Sequence, residues 1–263
     1  MKVTLITGAS SGIGEAFAWR LAADKHDLVL VARTEKKLHE LCDELMLRHQ
    51  IMAHYIVLDL AEPDADRKLF AETERHGFEV QWLINNAGFG SVGDFSTLGV
   101  DRELQMIELN ISALVAITHC YLQQMRERKS GTIINVSSSA GFQPIPFMAT
   151  YSATKAFVSS FSEAIAEENR PYGLQVLTLC PGPTSTNFFA ASDIDRPIQV
   201  KGKQTAEDVV ETAMSAIKSG KTKVVSGLAN KIGAFLGTHT PHFLSSRVMA
   251  KMLRPRFQGK EVE

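Results

Sequence analysis

The sequence contains few cysteines and almost no excess of either charge. Its 263 residues include only Cys42, Cys120 and Cys180, which are widely spaced and form no CxxC pair. This excludes a disulfide framework and a zinc knuckle, and it indicates a reducing compartment. The 28 basic and 29 acidic residues give a formal net charge of -1, so no overall field attracts the chain to nucleic acid. We therefore expect no nucleic-acid partner.

Long apolar runs and grouped metal ligands are also lacking. No run approaches the roughly 20 apolar residues that cross a bilayer, and the apolar stretch in the N-terminal MKVTLITG is too short for a signal peptide. The eight histidines are scattered, and the pair His239 and His242 has a proline between its members and no nearby carboxylate. The sequence therefore predicts a cytoplasmic protein without a metal site.

Short apolar runs recur along the chain with helical patterning between them. Most runs show no strict alternation of apolar and polar residues, which is typical of strands buried on both faces of a parallel sheet. Alternating strands and helices predict right-handed βαβ crossovers. We therefore predict an α/β fold, a single-domain Rossmann-like doubly wound parallel sheet of about seven strands with helices on both faces. The predicted strands are residues 3–7, 28–32, 53–60, 80–85, 131–137, 174–180 and 222–226.

Helices are predicted for residues 14–23, 35–48, 64–76, 102–128, 152–168 and 206–219. No repeat, low-complexity tract or linker divides the chain, so we predict one domain over residues 1–263. Its core spans residues 1–226, and residues 227–263 form a C-terminal helical extension. Within it, residues 228–257 interleave apolar with basic side chains, for example Phe243 and Val248 with Arg247 and Lys251. Such a basic amphipathic helix can pack on its own domain or on a neighbour, cover the substrate pocket, or lie on a membrane surface.

A glycine-rich stretch, TGASSGIG, follows the first apolar run at residues 7–14. Its glycines have the spacing GxxxGxG, at the point where a strand passes into a helix. Such a turn lets the backbone approach a pyrophosphate, and the positive end of the helix dipole offsets the charge. The alternative is a flexible turn without a ligand. The residues predicted to hold a dinucleotide here are Gly8, Ser10, Ser11, Gly12, Ile13 and Gly14.

The end of the second predicted strand indicates which dinucleotide is bound. A Rossmann fold that binds NAD usually places a carboxylate there, on the adenosine ribose. This chain has Ala32 followed by Arg33, and a guanidinium favours a 2′-phosphate. The alternative is a solvated arginine at the start of the RTEKK segment. We therefore predict NADP as the cofactor, with NAD as the alternative.

Seven motifs occur in order along the chain: TGASSGIG at 7–14, LDL at 58–60, NNAG at 85–88, LNIS at 109–112, NVSSSAG at 135–141, YSATK at 151–155 and PGPTST at 181–186. From Val3 to about Ser226 the sequence resembles the short-chain dehydrogenase/reductase family, of the classical type with a single Rossmann-like domain. The resemblance also implies a homo-oligomer, a dimer or a tetramer.

The resemblance implies further cofactor contacts. Asp59 and Leu60 match positions that contact adenine, and the loop after the fourth strand borders the cofactor. The segment after the sixth strand closes over the nicotinamide. These two segments contribute Asn86, Ala87, Gly88, Pro181, Gly182, Thr184 and Thr186. One departure is Ser11, where NADP-binding members often carry a basic residue, so Arg33 bears the phosphate preference largely alone.

Tyr151 and Lys155 are four residues apart on a predicted helix and therefore project from one face. An ammonium beside a phenol favours the phenolate and lowers its pKa, which suits Tyr151 to act as a general acid or base. By the same resemblance, Lys155 also binds the nicotinamide ribose. The alternative is a pair that is structural, since this spacing is common on helices.

Two more residues complete the predicted catalytic set. Ser138 lies at the end of the fifth strand, where its hydroxyl can orient a substrate oxygen at Tyr151, and strand alternation turns Ser137 and Ser139 away from that side. The family resemblance implies that Asn110 holds a water that connects the lysine to solvent. The alternative for Asn110 is a capping or surface amide.

The sequence thus predicts an oxidoreductase that transfers hydride between NADP(H) and a hydrophobic carbonyl or alcohol. Its substrate is expected beside residues 143–148, Phe188 and Phe189, although these side chains can instead pack on the sheet. The long loop 185–203 is predicted to be a mobile lid. An alternative activity is reduction of 3-oxoacyl thioesters. An alternative of another class is a non-catalytic dinucleotide-sensing module.

Overall fold

The computed structural model describes residues 1–186, 188 and 204–257. Within these residues, seven strands form one sheet, and every predicted strand is present. The strands are β1 (Lys2–Thr7), β2 (Leu28–Ala32), β3 (Ala53–Val57), β4 (Glu79–Asn85), β5 (Thr132–Val136), β6 (Gln175–Cys180) and β7 (Lys223–Val225). The helices that flank them are α1 (Gly12–Ala23), α2 (Glu35–His49), α3 (Ala65–Arg75), α4 (Val100–Ile107), α5 (Leu114–Glu127), α6 (Ala149–Asn169), α7 (Ala206–Lys218), α8 (Leu228–His239) and α9 (His242–Phe257).

The sheet has the strand order β3-β2-β1-β4-β5-β6-β7. All six neighbouring pairs are parallel, so the predicted Rossmann-like doubly wound sheet is confirmed. β1 lies between β2 and β4, and the order of strands reverses beside it. In such sheets the carboxyl ends of the strands at the reversal form a crevice that binds ligands.

Helices cover both faces of the sheet because the central strands are apolar on both sides. β2 and β5 are buried along their whole length. One face packs against α1, α2 and α7, with Phe17, Leu38 and Val209 in its core. The other face packs against α3, α5 and α6, with Leu69 and Ile117 in its core. The result is a three-layer sandwich.

Residues 102–128, predicted as one helix, are interrupted in the structure. A π-helical segment, Glu108–Ala113, separates α4 from α5. A π-helical turn contains an additional residue and is frequent at functional sites. The inserted turn carries Asn110 and holds it inside the protein, where it is 1% exposed.

The C-terminal region forms two helices rather than one amphipathic helix. α8 ends at His239 and α9 begins at His242, and Pro241 lies between them. Proline lacks a backbone N–H and is typical of the start of a new helix. No helix among residues 1–186 and 204–257 is long and apolar enough to cross a membrane. The boundary at residue 226 between a core and an extension stays a prediction.

Candidate active site

Two connected cavities open at the carboxyl ends of the strands. The first has a volume of about 300 Å³ and the second about 520 Å³. They share the lining residues Ile13, Asn86, Thr186 and Phe188. Almost every residue that the sequence singles out lines one of them. The first cavity is lined by Gly8, Ser10, Ser11, Gly12, Arg33, Asp59, Leu60, Ala87 and Gly88. The second is lined by Ser138, Tyr151, Lys155, Pro181, Gly182 and Thr184.

The glycine-rich turn packs tightly against the loop that follows β4. A Cβ on Gly14 would lie 2.3 Å from the carbonyl oxygen of Gly8, and one on Gly8 would lie 2.9 Å from the Cα of Ala87. Gly8 also has a φ of +64°, which L side chains rarely adopt. Gly14 itself lines neither cavity, because it packs against the backbone of Gly8. It allows the turn to close beneath the first one.

Thr7 is a residue that the sequence interpretation missed. Its hydroxyl accepts hydrogen bonds from the backbone N–H groups of Asn86 and Ala87, both at 3.0 Å. The side chain of Asn86 donates in return to the carbonyls of Thr7 and Gly8, at 3.0 and 3.1 Å. Thr7 and Asn86 thus fix the two loops that border the first cavity. The signal was present, because Thr7 is a polar residue at the end of an apolar strand.

The start of α1 is suited to an anion. The first cavity reaches this helix end at Ser11, Gly12 and Ile13. Ser11 is the N-cap residue, and its side chain makes no capping hydrogen bond. The N–H groups of a first helical turn have no partner within the helix, and they lie at the positive end of its dipole. A phosphate in this cavity would provide the missing acceptor.

Arg33 lies at the other end of the first cavity and is not isolated. Its Nη1 is 3.5 Å from Oδ2 of Asp59, and about two thirds of its side chain is exposed. Lys37, which the sequence interpretation missed, also lines this cavity. It follows Arg33 by four residues, in the first turn of α2. The cavity therefore has two cations at this end, partly offset by Asp59.

Tyr151 and Lys155 lie together in the floor of the second cavity. Both belong to α6 and are nearly inaccessible, at 7% and 4% exposure. Ser138 follows β5 and lines the same cavity, where its hydroxyl accepts from the N–H of Ala140 at 3.1 Å. Ser137 and Ser139, which strand alternation was expected to turn away, also line this cavity. The Ser137 hydroxyl donates to the backbone carbonyl of Lys155 at 2.7 Å.

The pKa of Tyr151 does not follow the expectation from sequence. Burial raises it to about 12, and hydrogen bonding with Ser138 acts in the opposite direction with a smaller effect. The expected lowering by Lys155 is wrong for this structure. The ammonium lies 5.9 Å from the centre of the Tyr151 ring and donates instead to the carbonyl of Val136, at 2.9 Å. At neutral pH the phenol is therefore protonated.

Lys155 is the group in the cavity whose charge is most easily changed. Burial lowers its pKa to about 8, with a smaller opposing effect from Cys180. An anion or a polar group placed beside Lys155 would favour the charged form again. The loop at Gly88 passes close to the ammonium, since a Cβ built there would lie 3.6 Å from Nζ.

Asn110 holds the loop after β4 against α6. Its side-chain amide donates to the carbonyl of Phe89 at 2.9 Å and to the hydroxyl of Thr154 at 3.1 Å. Its Oδ1 accepts from the N–H of Phe89 at 3.2 Å. The capping or surface amide considered from sequence is wrong, because Asn110 is fully buried. Its part in a proton relay stays a prediction.

The wall of the second cavity is mostly apolar. Ile145, Met148 and Phe188 line it as predicted, and the ring of Phe188 lies 5.5 Å from that of Tyr151. Helices α8 and α9 belong to the C-terminal segment for which covering the substrate pocket is one of the alternatives from sequence, and they add Ala229, Ala234, Met249, Met252 and Leu253. Phe189 and residues 189–203 of the predicted lid lie outside the described residues.

The remaining predicted wall residues lie elsewhere. Pro144 and Pro146 line a neighbouring cavity of about 390 Å³. The ring of Phe147 stacks on Phe257 with centroids 5.0 Å apart.

The histidines are less scattered than the sequence indicates. Ligand atoms of His54, Glu72 and His76 lie within 4.8 Å of one another. A guanidinium already occupies this cluster, because Arg75 donates to Glu72 at 2.5 Å and lies 3.0 Å from Nε2 of His76. The cluster joins β3 to the end of α3 and lines neither cavity. The predicted absence of a metal site stays a prediction.

Gly14→Ala tests the packing of the glycine-rich turn. A methyl group 2.3 Å from the carbonyl oxygen of Gly8 forces the turn to move. We expect the free energy of unfolding to fall by about 1–3 kcal/mol and dinucleotide binding to weaken. Urea denaturation and a fluorescence titration with NADPH measure the two effects. In Gly99→Ala, the matched control, the new Cβ meets nothing within 4 Å. Equal losses in both variants would contradict the steric explanation.

Comparisons with known proteins agree with this geometry. A family model for the short chain dehydrogenase matches residues 2–197. The chain is 32% identical over 231 residues to the 7beta-hydroxysteroid dehydrogenase of Mediterraneibacter gnavus, with 86% of each protein covered. It is 27% identical over 263 residues to the very-long-chain 3-oxoacyl-CoA reductase of Mus musculus, covering 97% of this chain and 82% of the relative. A solved short-chain dehydrogenase from Sphingobium yanoikuyae in complex with NADPH superposes with a TM-score of 0.82 and 26% identity, covering 100% of this chain and 99% of the other.

A doubly wound parallel sheet with a glycine-rich turn at its crevice, beside a buried tyrosine and lysine, has the architecture of a dinucleotide-dependent oxidoreductase. The family model extends over most of the chain. The protein belongs to the short-chain dehydrogenase family, and it is an oxidoreductase that acts on hydroxyl or ketone groups.

Proposed function

We propose that the protein is an NADP(H)-dependent oxidoreductase that interconverts a bulky hydrophobic ketone and its secondary alcohol. The observation that carries this proposal is the position of the Tyr151 phenol. It lies in the floor of an apolar cavity of about 520 Å³, which joins the cavity at the glycine-rich turn. A substrate held in the larger cavity thus has a proton donor beside it and the dinucleotide next to it.

The residues around the first cavity fit NADP. The uncapped start of α1 suits the pyrophosphate, and Arg33 with Lys37 suits a 2′-phosphate at the opposite end. No carboxylate occupies position 32 to bind the ribose hydroxyls, because the residue is alanine. The Sphingobium yanoikuyae relative with NADPH supports the same cofactor.

The proposed chemistry is proton transfer by Tyr151. When bound, the nicotinamide supplies the hydride for the carbonyl carbon in reduction and accepts it in oxidation. Ser138 donates a hydrogen bond that orients the substrate oxygen, and Tyr151 gives its proton to that oxygen as the alcohol forms. Lys155 binds the nicotinamide ribose, as the family resemblance implies. Asn110 holds the loop beside Lys155 and supports proton return from solvent.

Reduction of 3-oxoacyl thioesters is the second candidate activity. The Mus musculus relative is named for it, and an apolar channel also suits an acyl chain. A panel of bulky cyclic ketones, acetoacetyl-CoA and a long-chain 3-oxoacyl-CoA, each with NADPH, separates the two activities. We expect the highest kcat/KM with the bulky ketones. A higher kcat/KM with the thioesters would replace the proposed substrate class.

A non-catalytic dinucleotide-sensing module is the alternative of another class. Such a module has no use for a hydroxyl, a phenol and an ammonium in one cavity, so Ser138, Tyr151 and Lys155 argue against it. The same panel tests it. NADPH binding without turnover of any ketone, alcohol or thioester would favour the module over the enzyme.

Arg33 and Lys37 are expected to set the preference for NADPH over NADH. Each charge-assisted hydrogen bond contributes about 1.5–3 kcal/mol, so the loss of both in Arg33→Ala with Lys37→Ala should lower kcat/KM with NADPH by about 10²- to 10⁴-fold. The value with NADH should change little. Steady-state kinetics with both cofactors measures the ratio. Lys36→Ala is the matched control, since Lys36 is exposed and pairs with Glu40. A wild-type enzyme that uses both cofactors equally would refute the preference.

We also propose that the protein acts in the cytoplasm as a homo-oligomer, a dimer or a tetramer. Cys42, Cys120 and Cys180 are all free, which supports a reducing compartment. The oligomer rests on the family resemblance. Light scattering coupled to size-exclusion chromatography measures it.

A further inference from the structure

Helices α8 and α9 expose an unusual number of large apolar side chains. In α8 these residues are spaced i, i+4, i+7 and i+8, which places them on one side of the helix. A similar stripe follows α9. The exposure of these side chains ranges from 44% to 75%. Large contiguous apolar patches on a soluble monomer usually mark an interaction site. We call this set the C-terminal apolar face: Leu228, Ile232, Phe235, Leu236, Phe243, Leu244, Val248 and Met252.

The opposite sides of both helices are packed, so this face is not the result of a detached tail. Ala234 and Ser245 are buried at 6% and 8% exposure. Met249 and Leu253 line the large cavity, and Phe257 stacks on Phe147. The helices are therefore held in place by one side while the apolar face points outward.

The charged residues of α8 and α9 all have one sign. Residues 228–257 contain five basic residues and no aspartate or glutamate, in a chain whose formal net charge is -1. All five are exposed, and none forms an ion pair with another residue of the described chain. They are Lys231, Arg247, Lys251, Arg254 and Arg256. The two acidic residues that follow, Glu261 and Glu263, lie outside the described residues.

Basic and apolar side chains share one side of α9. At 100° per residue, Arg247 and Lys251 project between Phe243 and Leu244. Long basic side chains can extend from such a surface to phosphate groups while their stems cover apolar area. A helix with this composition lies in the interface of a bilayer, with its apolar side among the acyl chains and its cations at the headgroups.

The apolar face is continuous with the mouth of the large cavity. Met252 is 68% exposed and also lines the cavity, as do Met249, about one turn before it, and Leu253, the next residue. A surface that covers the apolar face would therefore meet the cavity mouth. An apolar molecule dissolved in that surface would reach the cavity without crossing water.

We propose that α8 and α9 dock the protein on an anionic phospholipid surface, with the cavity mouth at Met252 facing the acyl chains. Charge complementarity favours this occupant over a second copy of the chain. Packing the face against itself would bring two sets of five cations together, and residues 228–257 hold no acidic residue to offset them. The entry of substrate from the bilayer rests on the proposed function. The docking itself does not.

Sedimentation of the full chain with lipid vesicles tests the docking. We expect binding to vesicles of equal parts phosphatidylglycerol and phosphatidylcholine, weak binding to phosphatidylcholine alone, and loss of binding at high salt. The triple variant Arg247→Gln, Lys251→Gln, Arg254→Gln should weaken binding by about fivefold per charge removed. Phe235→Ser with Phe243→Ser should weaken it on both vesicle types. None of these residues lines the large cavity, so turnover of a water-soluble ketone should be unchanged.

Matched changes on other helices serve as controls. Lys36→Gln, Arg67→Gln and Lys68→Gln remove three exposed cations, and Leu47→Ser removes an apolar side chain that is 83% exposed. These variants should bind vesicles like the wild type. Equal binding of wild type and the triple variant would overturn the proposal. So would a wild-type dimer that ignores vesicles and that Phe235→Ser with Phe243→Ser converts to a monomer, because the occupant would then be a second copy.

The docking and the proposed activity fail separately. Sedimentation needs no substrate, so vesicle binding without turnover of any ketone would leave the docking intact and refute the proposed function. Turnover of a soluble ketone without vesicle binding would refute the docking and leave the proposed function intact. If both hold, a ketone dissolved in anionic vesicles should be reduced faster by the wild type than by the triple variant.

Discussion

Tyr151→Phe is expected to lower kcat for ketone reduction by about 10²- to 10⁴-fold, the usual contribution of a general acid. The substitution removes only the hydroxyl, and the ring keeps its contacts with Phe188 and the cavity wall. We therefore expect the unfolding midpoint and the Kd for NADPH to stay close to those of the wild type. Stopped-flow measurement of NADPH oxidation and a fluorescence titration check the two results.

The control for this variant is Tyr172→Phe. Tyr172 is 40% exposed and lies under the guanidinium of Arg126, away from both cavities. Its replacement should leave kcat unchanged. If Tyr151→Phe turns over at the wild-type rate, then another group supplies the proton and the proposed mechanism is wrong.

Lys155→Met is expected to have opposite effects on activity and on stability. Loss of the ammonium removes the proposed hydrogen bond to the nicotinamide ribose, so kcat/KM should fall by about 10- to 100-fold. The Kd for NADPH should rise as well. Methionine keeps most of the volume of the side chain, so a cavity is not the cause of these losses.

The cofactor-free form of the same variant is expected to be more stable than the wild type at pH 7. Burial lowers the pKa of Lys155 from 10.5 to about 8. Below pH 8 the side chain is charged in the folded and unfolded states, and the full cost of burying the ammonium is present. Removing that charge should add on the order of 1–3 kcal/mol to the free energy of unfolding.

The pH dependence of this difference gives the sharper measurement. Between pH 8 and 10.5 the unfolded wild type holds the proton and the folded wild type does not, so the wild type gains stability as pH rises. The advantage of Lys155→Met should shrink over this range and vanish above it. Other titrating groups are common to both proteins and cancel in the difference. Urea denaturation at several pH values measures it.

Lys223→Met is the matched control for the stability effect. Lys223 is only partly buried and forms an ion pair with Glu163 at 2.8 Å. Its replacement should leave stability unchanged or lower it at pH 7. A Lys155→Met protein that is less stable than the wild type, with a constant difference from pH 7 to 10.5, would show that burial does not penalise the ammonium.

The sheet could be predicted from sequence because its physics is local and repetitive. Strands buried on both faces are apolar at most positions, and this leaves a run that stands out against amphipathic helices. All seven runs became strands. The largest error was at β3, predicted to reach residue 60 and observed to end at Val57. The chain leaves the sheet there, and LDL at 58–60 forms cavity wall instead.

Other features leave no local pattern. The π-helical turn at Glu108–Ala113 keeps a helical sequence pattern, and only the offset of its hydrogen bonds distinguishes it. The contribution of α8 and α9 to the cavity wall joins residues about 100 positions apart, which no spacing predicts. The pKa of Tyr151 is raised by burial within the assembled cavity wall, and the Lys155 ammonium is directed by its bond to the carbonyl of Val136. Helix periodicity fixes only the side of the helix from which Lys155 projects.

The central position of β1 has a consequence for synthesis on the ribosome. β1 is made before β4, its partner on one side, which begins only at Glu79. At ordinary rates of translation this interval lasts on the order of several seconds. During that time β1 can pair with β2, while its other edge exposes unpaired N–H and C=O groups between apolar faces. A nascent chain is thus most prone to aggregate, and most dependent on chaperones, before β4 emerges.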